Sequence, residues 1–440
     1  MKITTTGSEI LRTFSPRIEH TSMREKIWIT ILVVTIGIAG YALYQQIAHG
    51  HVVTGMRDFV VWGIFIVNFM FLIGLSYAGA IIAGFLHLFK AEWGKPIIRL
   101  AQLMTLSSVI VGPLFILLCV GRFDRLHYLF IYPRLQSPLI WDVLAVMTFL
   151  VGSFLFLYLG LIRDFAVYRD SNLKISKWKH NLYGWLSLGY NGTEDQKKRL
   201  LTSQNLLAIL LIPISIMVAS ILSWIFGMTL RPGWHSTIFG PYFVLGAIYS
   251  GTGVLIVITW YTRRVYKLEK YITPQHFDYL AYMMLVLAAG YGYFTFSEYF
   301  TSWYGSEKWD GQLIKKLFSP DEYGWLTFFT NVLGVILPII FASIPKLRKP
   351  NSLMVVAAIL VLAMWVKRYL IVVPTLLTPL LPMQDTRAEY IHYSITWVEW
   401  ALTFGGVALF FLIFTIAGKF ITLIEVAELP QEEHIKLENK

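Results

Sequence analysis

Residues 59–89 read FVVWGIFIVNFMFLIGLSYAGAIIAGFLHLF, and this stretch contains no Asp, Glu, Lys or Arg. A helix that crosses the hydrocarbon core of a bilayer needs about 20 mainly apolar residues, because no water is present there to satisfy open backbone groups. The stretch is therefore long enough to span a membrane. Two runs of small residues, Gly74-x-x-x-Ala78 and Ala80-x-x-x-Gly84, predict a face on which other helices pack closely, and Asn68 is expected to hydrogen-bond to a neighbouring helix.

Nine further segments of this kind occur in the 440 residues. They lie at approximately 28–46, 100–120, 139–162, 201–226, 238–261, 277–303, 325–344, 353–376 and 393–420. The composition agrees, since 56% of the residues are hydrophobic and only 14% are charged, whereas soluble proteins carry about 25% charged residues. A globular cytosolic enzyme is excluded. The predicted fold class is an all-α polytopic membrane protein with about ten transmembrane helices.

The distribution of Lys and Arg predicts the orientation of these helices. The N-terminal arm and the loops after the second, fourth, sixth and eighth helices are rich in Lys and Arg. Because cytoplasmic loops carry the excess of basic residues, both termini are expected to be cytoplasmic. The predicted domains are an N-terminal arm (1–27), a single transmembrane domain (28–424) and a charged tail (425–440). Residues 173–190 are either an interfacial segment or a plain basic loop.

Cysteine and histidine usage bears on the cofactors that the chain itself could hold. With Cys119 as the single cysteine, a disulfide framework, a thiolate zinc site and a cysteine-held iron–sulfur cluster are excluded within this chain. A b-type haem needs axial ligands at matched depth on facing helices, and His235 with His392 is the only possible pair. We therefore predict no haem. The net charge of +11 is assigned to the cytoplasmic helix ends, so no nucleic-acid partner is expected.

Ionisable residues within the predicted helices are the candidate functional residues. A charge at mid-bilayer costs about 2.5–3.5 kcal/mol on insertion scales, so each retained charge is a functional hypothesis. These charges are expected to pair or to line a hydrated cavity, and the predicted orientation places all of them in the outer half, with almost none in the inner half. For the residues at the helix ends, a position among the lipid headgroups is the alternative. The candidates are Asp58, Arg122, Asp142, His235, Tyr242, Glu298, Lys367, Arg368 and Glu399.

Several stretches resemble the NrfD/PsrC family of membrane subunits. They are TGMRDFVVWG at 54–63 with Asn68-Phe69 and the SYAG run at 76–79, the GRFDR turn at 121–125 with QSPLIWD at 136–142, RPGWHSTIFGPYF at 231–243 with GAIYSG at 246–251, and MWVKRY at 364–369. The resemblance extends from about residue 54 to 415. The ten-helix version of the family is similar to the paired ActC and ActF subunits of alternative complex III, with ActF the closer.

This resemblance implies a fold and a role. The fold is two four-helix bundles, formed by helices two to five (about 58–226) and six to nine (about 233–376), with helices one and ten flanking them. The role is that of a subunit in a complex of the iron–sulfur molybdoenzyme type, in the plasma membrane of a prokaryote. Quinone, either menaquinone or ubiquinone, would bind in the first bundle near the outer face. A ferredoxin-like iron–sulfur subunit would dock on that face, with or without a molybdopterin subunit and a homologous membrane sister.

The chain departs from the family pattern at several positions. Some members carry His where this chain has Tyr77, Cys119 and Ala219, and Glu where it has Lys367. Because quinol oxidation releases two protons, the pocket needs a proton acceptor, and Asp142 remains available.

Three hypotheses follow. In the first, the chain binds quinone: Asp142 accepts the proton, Arg122 and Asp58 hold its charge and geometry, and His235 and Tyr242 contact the quinone head. In the second, the chain is a quinone-free sister subunit that gives structural support, with or without a proton path. The third, a stand-alone transporter, is disfavoured because transporter sites lie near the midplane on interrupted helices. The residues assigned to the proton path are Asp142, Glu298, Lys367, Arg368 and Glu399.

Overall fold

A computed structural model describes residues 5–171, 175–229, 231–305, 307–378 and 392–425. Among these residues, ten helices are long and apolar enough to cross a membrane, which confirms the predicted number. They are α2 (Met23–His49), α3 (Gly63–Leu88), α4 (Lys95–Cys119), α6 (Pro138–Asp170), α8 (Glu194–Gly227), α9 (Phe239–Val265), α10 (Pro274–Gly305), α12 (Gly324–Ser343), α13 (Pro350–Leu376) and α14 (Trp397–Phe420). Four shorter helices are α1 (Thr5–Glu19), α5 (Tyr128–Ile131), α7 (Lys177–Leu186) and α11 (Lys308–Phe318).

The long helices pack as two bundles of four. Helices α3, α4, α6 and α8 form bundle one, and α9, α10, α12 and α13 form bundle two. Helices α2 and α14 pair with each other along the side of bundle one. We call the ends at which the basic loops lie the inner ends of the bundles, and the opposite ends the outer ends.

Helix α3 is buried along almost its whole length and joins the two bundles. A Cβ placed on Gly74 would lie 3.3 Å from the Cβ of Ala247, and Gly251 lies directly against Ala78. The run Ala247-x-x-x-Gly251 on α9 thus faces Gly74-x-x-x-Ala78 on α3. Small side chains on both helices let the backbones approach closely, so the predicted packing face is confirmed.

Asn68 ties three helices together. Its Nδ2 donates to Thr403 Oγ1 on α14 at 2.8 Å, and its Oδ1 accepts from Trp365 Nε1 on α13 at 2.9 Å. The predicted role of Asn68 as an interhelical hydrogen-bonding residue is confirmed.

Helix α12 contains a π-helical turn at Val332–Ile336. Pro338 has no N–H and cannot donate to the carbonyl of Gly334 four residues earlier. That carbonyl instead accepts from Tyr249 Oη on α9 at 2.7 Å. The turn therefore opens the helix backbone to a side chain of its neighbour, as is common where a helix ladder is interrupted.

Helices α4 and α6 extend beyond their predicted inner ends and carry a buried ion pair there. Arg99 on α4 and Asp164 on α6 are both buried and form an ion pair, and Glu425 Oε1 lies 3.7 Å from Arg99 Nη2. The apolar pattern stops at these charges, so the predicted helices end there. The helices continue beyond them because a paired charge is tolerated inside a bundle.

The first and the last described segments of the chain both pack at the inner end. Phe14 and Ile18 of α1 are buried, so part of the predicted arm 1–27 belongs to the fold. Glu425, the first residue of the predicted tail, is buried too, and residues 426–440 lie outside the described part of the chain. Within 173–190 the structure has helix α7, with Trp178 and Trp185 exposed and Tyr183 buried, so the segment is not a plain loop.

Candidate functional site

The candidate residues of the outer half fall into separate groups. Asp142 lies on α6 in bundle one, where the chain enters the helix through Ser137 and Pro138. Tyr242, Glu298, Lys367 and Arg368 lie on α9, α10 and α13 in bundle two. The remaining candidates lie in loops or at a helix start.

Asp142 and a tyrosine of α3 are both polar groups inside bundle one. The Oδ1 atom of Asp142 is buried and has no hydrogen-bond partner among the described residues. The Tyr77 hydroxyl on α3 is also buried without such a partner, and it interacts electrostatically with the Asp142 carboxylate. The Tyr77 ring contacts Phe149 edge-on, with 5.1 Å between ring centroids. We call these two groups the Tyr77–Asp142 pair. A buried polar atom without a partner is costly, so the pair is suited to binding a polar ligand group or water.

Bundle two has its own polar cavity at the outer end. The cavity holds about 50 Å³, and its walls include Tyr242, Glu298, Tyr299, Asp310 and Lys367. A buried water needs roughly 10–15 Å³ of such space. The cavity therefore has room for a few waters and not for a quinone ring.

Two oppositely charged side chains lie in this cavity. Glu298 Oε2 accepts from Ser236 Oγ at 2.7 Å, while its Oε1 is buried without a described partner. Lys367 Nζ donates to Tyr299 Oη and lies over the Tyr299 ring. Both residues are buried. The cavity thus contains a carboxylate and an amine, together with room for water.

Of the other two residues of this group, Tyr242 lines the cavity and Arg368 is not among its lining residues. Tyr242 Oη lies 2.9 Å from Thr295 Oγ1, and its ring stacks on Tyr291 with 4.8 Å between centroids. Arg368 donates to the carbonyl of Phe243 at 3.4 Å and lies over the Phe243 ring at 4.2 Å. The structure therefore brings Tyr242, Glu298, Lys367 and Arg368 together.

Three predicted residues lie at the surface. Arg122 is exposed and pairs with Asp124, with 2.8 Å between Nη2 and Oδ2. The hydrogen bonds from Arg122 hold the pKa of Asp124 below its ordinary value. Asp58 is exposed in the loop before α3, because that helix begins at Gly63 rather than at the predicted residue 59. His235 is exposed in the turn before α9.

Glu399 is fully buried but belongs to neither group. Its Oε2 accepts from the backbone N–H of Gly55 and of Thr396, both at 2.9 Å, and its Oε1 accepts from Tyr393 Oη at 2.7 Å. It also completes a capping box with Thr396 at the start of α14. These bonds fix the loop before α3 to α14, and its predicted part in proton transfer stays a prediction.

Tyr77 and Asp310 are not among the predicted site residues. In the sequence, Tyr77 stands out only as a departure from the family pattern, although a tyrosine at the middle of an uncharged helix is a polar group that needs a partner. Asp310 looks like an ordinary loop acid. The amphipathic pattern of α11, which buries Asp310 together with Leu313 and Leu317, is the signal that could have placed it against the bundle.

Comparison with known proteins gives a family and three relatives. The family model described as Polysulphide reductase, NrfD matches residues 52–380. A protein of Halobacterium salinarum, named as the membrane subunit of a dimethyl sulfoxide reductase, is 30% identical over 53% of this chain and 50% of its own length. A selenate reductase subunit of Mesobacillus selenatarsenatis is 23% identical over 94% of this chain and 97% of its own length. The Hdr-like menaquinol oxidoreductase integral membrane subunit of Archaeoglobus fulgidus is 22% identical over 93% and 96%.

The extent of these matches differs. The chain spans about half the length of the Halobacterium relative, whereas the other two alignments cover nearly the whole of both chains. By name, all three relatives are subunits of reductases or oxidoreductases.

Proposed function

This chain belongs to the NrfD (polysulphide reductase) family, and from that premise we propose that it is the quinone-binding membrane subunit of a multi-subunit oxidoreductase. The Tyr77–Asp142 pair carries this proposal. The two groups lie on different helices of bundle one, and both have a buried polar atom without a described partner. A quinone headgroup has two oxygens that can satisfy such atoms, which supports the proposal.

The roles of the two residues follow from their chemistry. A bound quinol supplies two electrons and two protons. The Asp142 carboxylate accepts a proton from a hydroxyl within hydrogen-bond reach, and the Tyr77 hydroxyl donates a hydrogen bond that orients the ring. The apolar surroundings, which include Phe149, exclude water and strengthen both interactions. The quinone type, menaquinone or ubiquinone, is set by contacts outside this pair.

The outer loop between α4 and α6 is the proposed docking surface for an electron-transfer partner. Arg122, Arg125 and Arg134 are exposed there beside the exposed rings of Tyr128 and Tyr132. Exposed Arg and aromatic residues are typical of protein interfaces. We propose that a ferredoxin-like iron–sulfur subunit binds this loop and exchanges electrons with the quinone. We propose that this assembly lies in the plasma membrane of a prokaryote; the relatives named as a selenate reductase subunit and a menaquinol oxidoreductase integral membrane subunit support a multi-subunit oxidoreductase.

The cavity of bundle two supports a part in proton transfer. Glu298 interacts electrostatically with Lys367, and both residues line the cavity. We propose that protons move between these two groups through the waters of the cavity.

The substitution Asp142→Asn tests the quinone site. In the purified complex, we expect quinol turnover to fall by about 100-fold or more, because general acid–base groups contribute about 10²–10⁴ in rate. Asp321→Asn is the control, since Asp321 is an exposed acid in an outer loop, and it should leave turnover unchanged. Complete turnover in an assembled Asp142→Asn complex would contradict the proposal.

A quinone-free sister subunit is the second candidate. The small volume of the bundle-two cavity and the exposed positions of Arg122 and Asp58 favour it. Extraction of bound quinone from the purified complex separates the two candidates. Quinone that is retained by the wild-type complex but lost in a Tyr77→Phe, Asp142→Asn double variant supports the first, and equal retention supports the second.

A further inference from the structure

Three metal-ligating side chains meet at the outer end of bundle two. His235 lies in the turn before α9, Glu307 is the N-cap of α11, and Asp310 lies in the first turn of α11. One donor atom from each lies within 4.8 Å of the other two. We propose that these residues form a binding site for a divalent transition-metal ion such as Zn²⁺. The proposal does not depend on whether the chain binds quinone.

The imidazole of His235 is oriented as a metal ligand. Its Nδ1 lies 3.0 Å from the carbonyl oxygen of Arg231. A carbonyl can only accept, so Nδ1 carries the proton and the lone pair is on Nε2. Metal-binding histidines almost always donate their second N–H in this way. Nε2 points towards Asp310, with 3.5 Å between it and Oδ2.

The carboxylate of Asp310 is held in a matching position. Its Oδ1 accepts from the backbone N–H of Gly233 at 3.0 Å, which leaves Oδ2 for another partner. In a tetrahedral zinc site the bonds are about 2.0–2.1 Å, so neighbouring ligand atoms are about 3.3–3.4 Å apart. The distance of 3.5 Å between Nε2 and Oδ2 is close to that edge. Glu307, which is exposed, supplies the third ligand, and water takes the fourth position.

The charges around the site provide an independent reason for a cation. Asp310 is 8% exposed and Glu298 is 9% exposed, and the two interact electrostatically. Glu298 Oε1, in the wall of the same cavity, has no described partner. Among the described residues that line the cavity, Lys367 is the one cation. Two buried carboxylates facing a single ammonium leave a negative charge uncompensated, and a divalent ion between His235, Glu307 and Asp310 offsets it.

A metal ion at this position would join helix α11 to the turn 231–238, two elements that otherwise share few hydrogen bonds. Helix α11 covers the mouth of the cavity with Leu313 and Leu317 turned inward. Its first turn would be tied to the turn 231–238 by the metal. Binding would therefore hold α11 closed over Glu298 and Lys367.

The test uses the intact complex, freed of affinity tags and treated with a chelator. Zinc content is measured after dialysis against micromolar Zn²⁺, and hydrogen exchange is measured in the peptide 308–318 with and without Zn²⁺. We expect wild type to retain one more zinc equivalent than His235→Gln, and Zn²⁺ to slow exchange in α11 only in wild type. Glu307→Gln, an exposed change that leaves the fold intact, should weaken binding by at least about tenfold, as even the loss of a supporting residue does.

The control is His49→Gln, which changes an exposed histidine at the outer end of α2 and should bind zinc as wild type does. Equal zinc content in wild type and His235→Gln would overturn the proposal. A protection factor in α11, taken relative to the intrinsic exchange rate at each pH, that rises on acidification but not on addition of Zn²⁺ would also overturn it, because the His235–Asp310 contact would then be an ion pair without a metal.

Discussion

Buried charged side chains in this protein differ mainly in how completely they are paired. Arg99 is fully buried, yet it pairs with Asp164 and donates to the carbonyls of Thr422 and Ile424, both at 3.2 Å. Glu399 is equally buried and accepts bonds from two backbone N–H groups and a hydroxyl. Asp142 and Glu298 each keep one oxygen without a described partner, whereas Arg99, which lacks a partner only at Nε, has its charge balanced by Asp164. A completely bonded charge stabilises the fold, whereas a partly bonded one remains available to a ligand or a proton.

The substitution Arg99→Met should destabilise the protein strongly. It leaves the buried Asp164 without its cation, and breaking a buried pair in this way costs about 3–5 kcal/mol. Thermal unfolding of the detergent-solubilised complex measures the effect. Lys177→Met, which removes an exposed cation at the same end, serves as the control and should have little effect.

The double variant Arg99→Met, Asp164→Leu extends this test. It should recover part of the lost stability, since replacing both partners by apolar groups removes the uncompensated charge. If Arg99→Met unfolds at the same temperature as Lys177→Met, the Arg99–Asp164 ion pair does not contribute to stability.

At the scale of helices, the two bundles are joined by small residues rather than by charges. Gly74 and Ala78 of α3 face Ala247 and Gly251 of α9 across one interface. Lipid tails are as apolar as the helix surfaces, so the hydrophobic effect does not drive helices together inside a bilayer. Helix association there depends on close van der Waals contact. This explains why a helix as apolar as α3 has glycine and alanine on the face that meets the second bundle.

Gly251→Ala should disturb this interface. The added Cβ would overlap the Ala78 side chain, and overpacking a core costs about 1–3 kcal/mol. Gly40→Ala is the matched control, because nothing lies within 4 Å of a Cβ at Gly40 on α2. Thermal unfolding of both variants should show a lowered midpoint for Gly251→Ala alone. Equal midpoints would mean that α3 and α9 can move apart without loss of thermal stability.

At the scale of the whole molecule, the polar features are divided between the bundles. Bundle one holds two pairs of polar groups. They are the Tyr77–Asp142 pair and, near the inner end, the Arg99–Asp164 pair. Bundle two holds a small cavity under α11 at its outer end. The two bundles thus offer different chemistry. Bundle one has two buried polar groups without described partners, and bundle two has a polar cavity with room for a few waters. The proposed division into quinone binding and proton transfer follows from this difference.

The predicted orientation has a direct test. In a Cys119→Ser background, we expect Asp321→Cys to react with a membrane-impermeant maleimide in intact cells, because its loop lies on the side with few basic residues. Lys197→Cys, in the most basic loop, should react only after permeabilisation. Labelling in the reverse order would show that the termini are outside and would remove the partner surface from the outer face.

The number and approximate ends of the spanning helices could be read from the amino-acid order, as could the small-residue face of α3 and the bridging role of Asn68. Hydropathy over about 20 residues is a local sum, and the need to satisfy every backbone group in lipid leaves a helix as the solution. The errors fall at charged helix ends such as Arg99 and Asp164, since a local sum cannot see a partner 65 residues away.

The partners of the buried polar groups depended on the packing of helices that are distant in the chain. Glu399 and Glu298 are both acids near the outer ends of helices, yet one is bonded on both oxygens and the other faces a cavity. Nothing in their local sequence separates them. What a buried carboxylate can do is set by the few atoms within hydrogen-bond distance, and those atoms are brought there only when the bundles assemble.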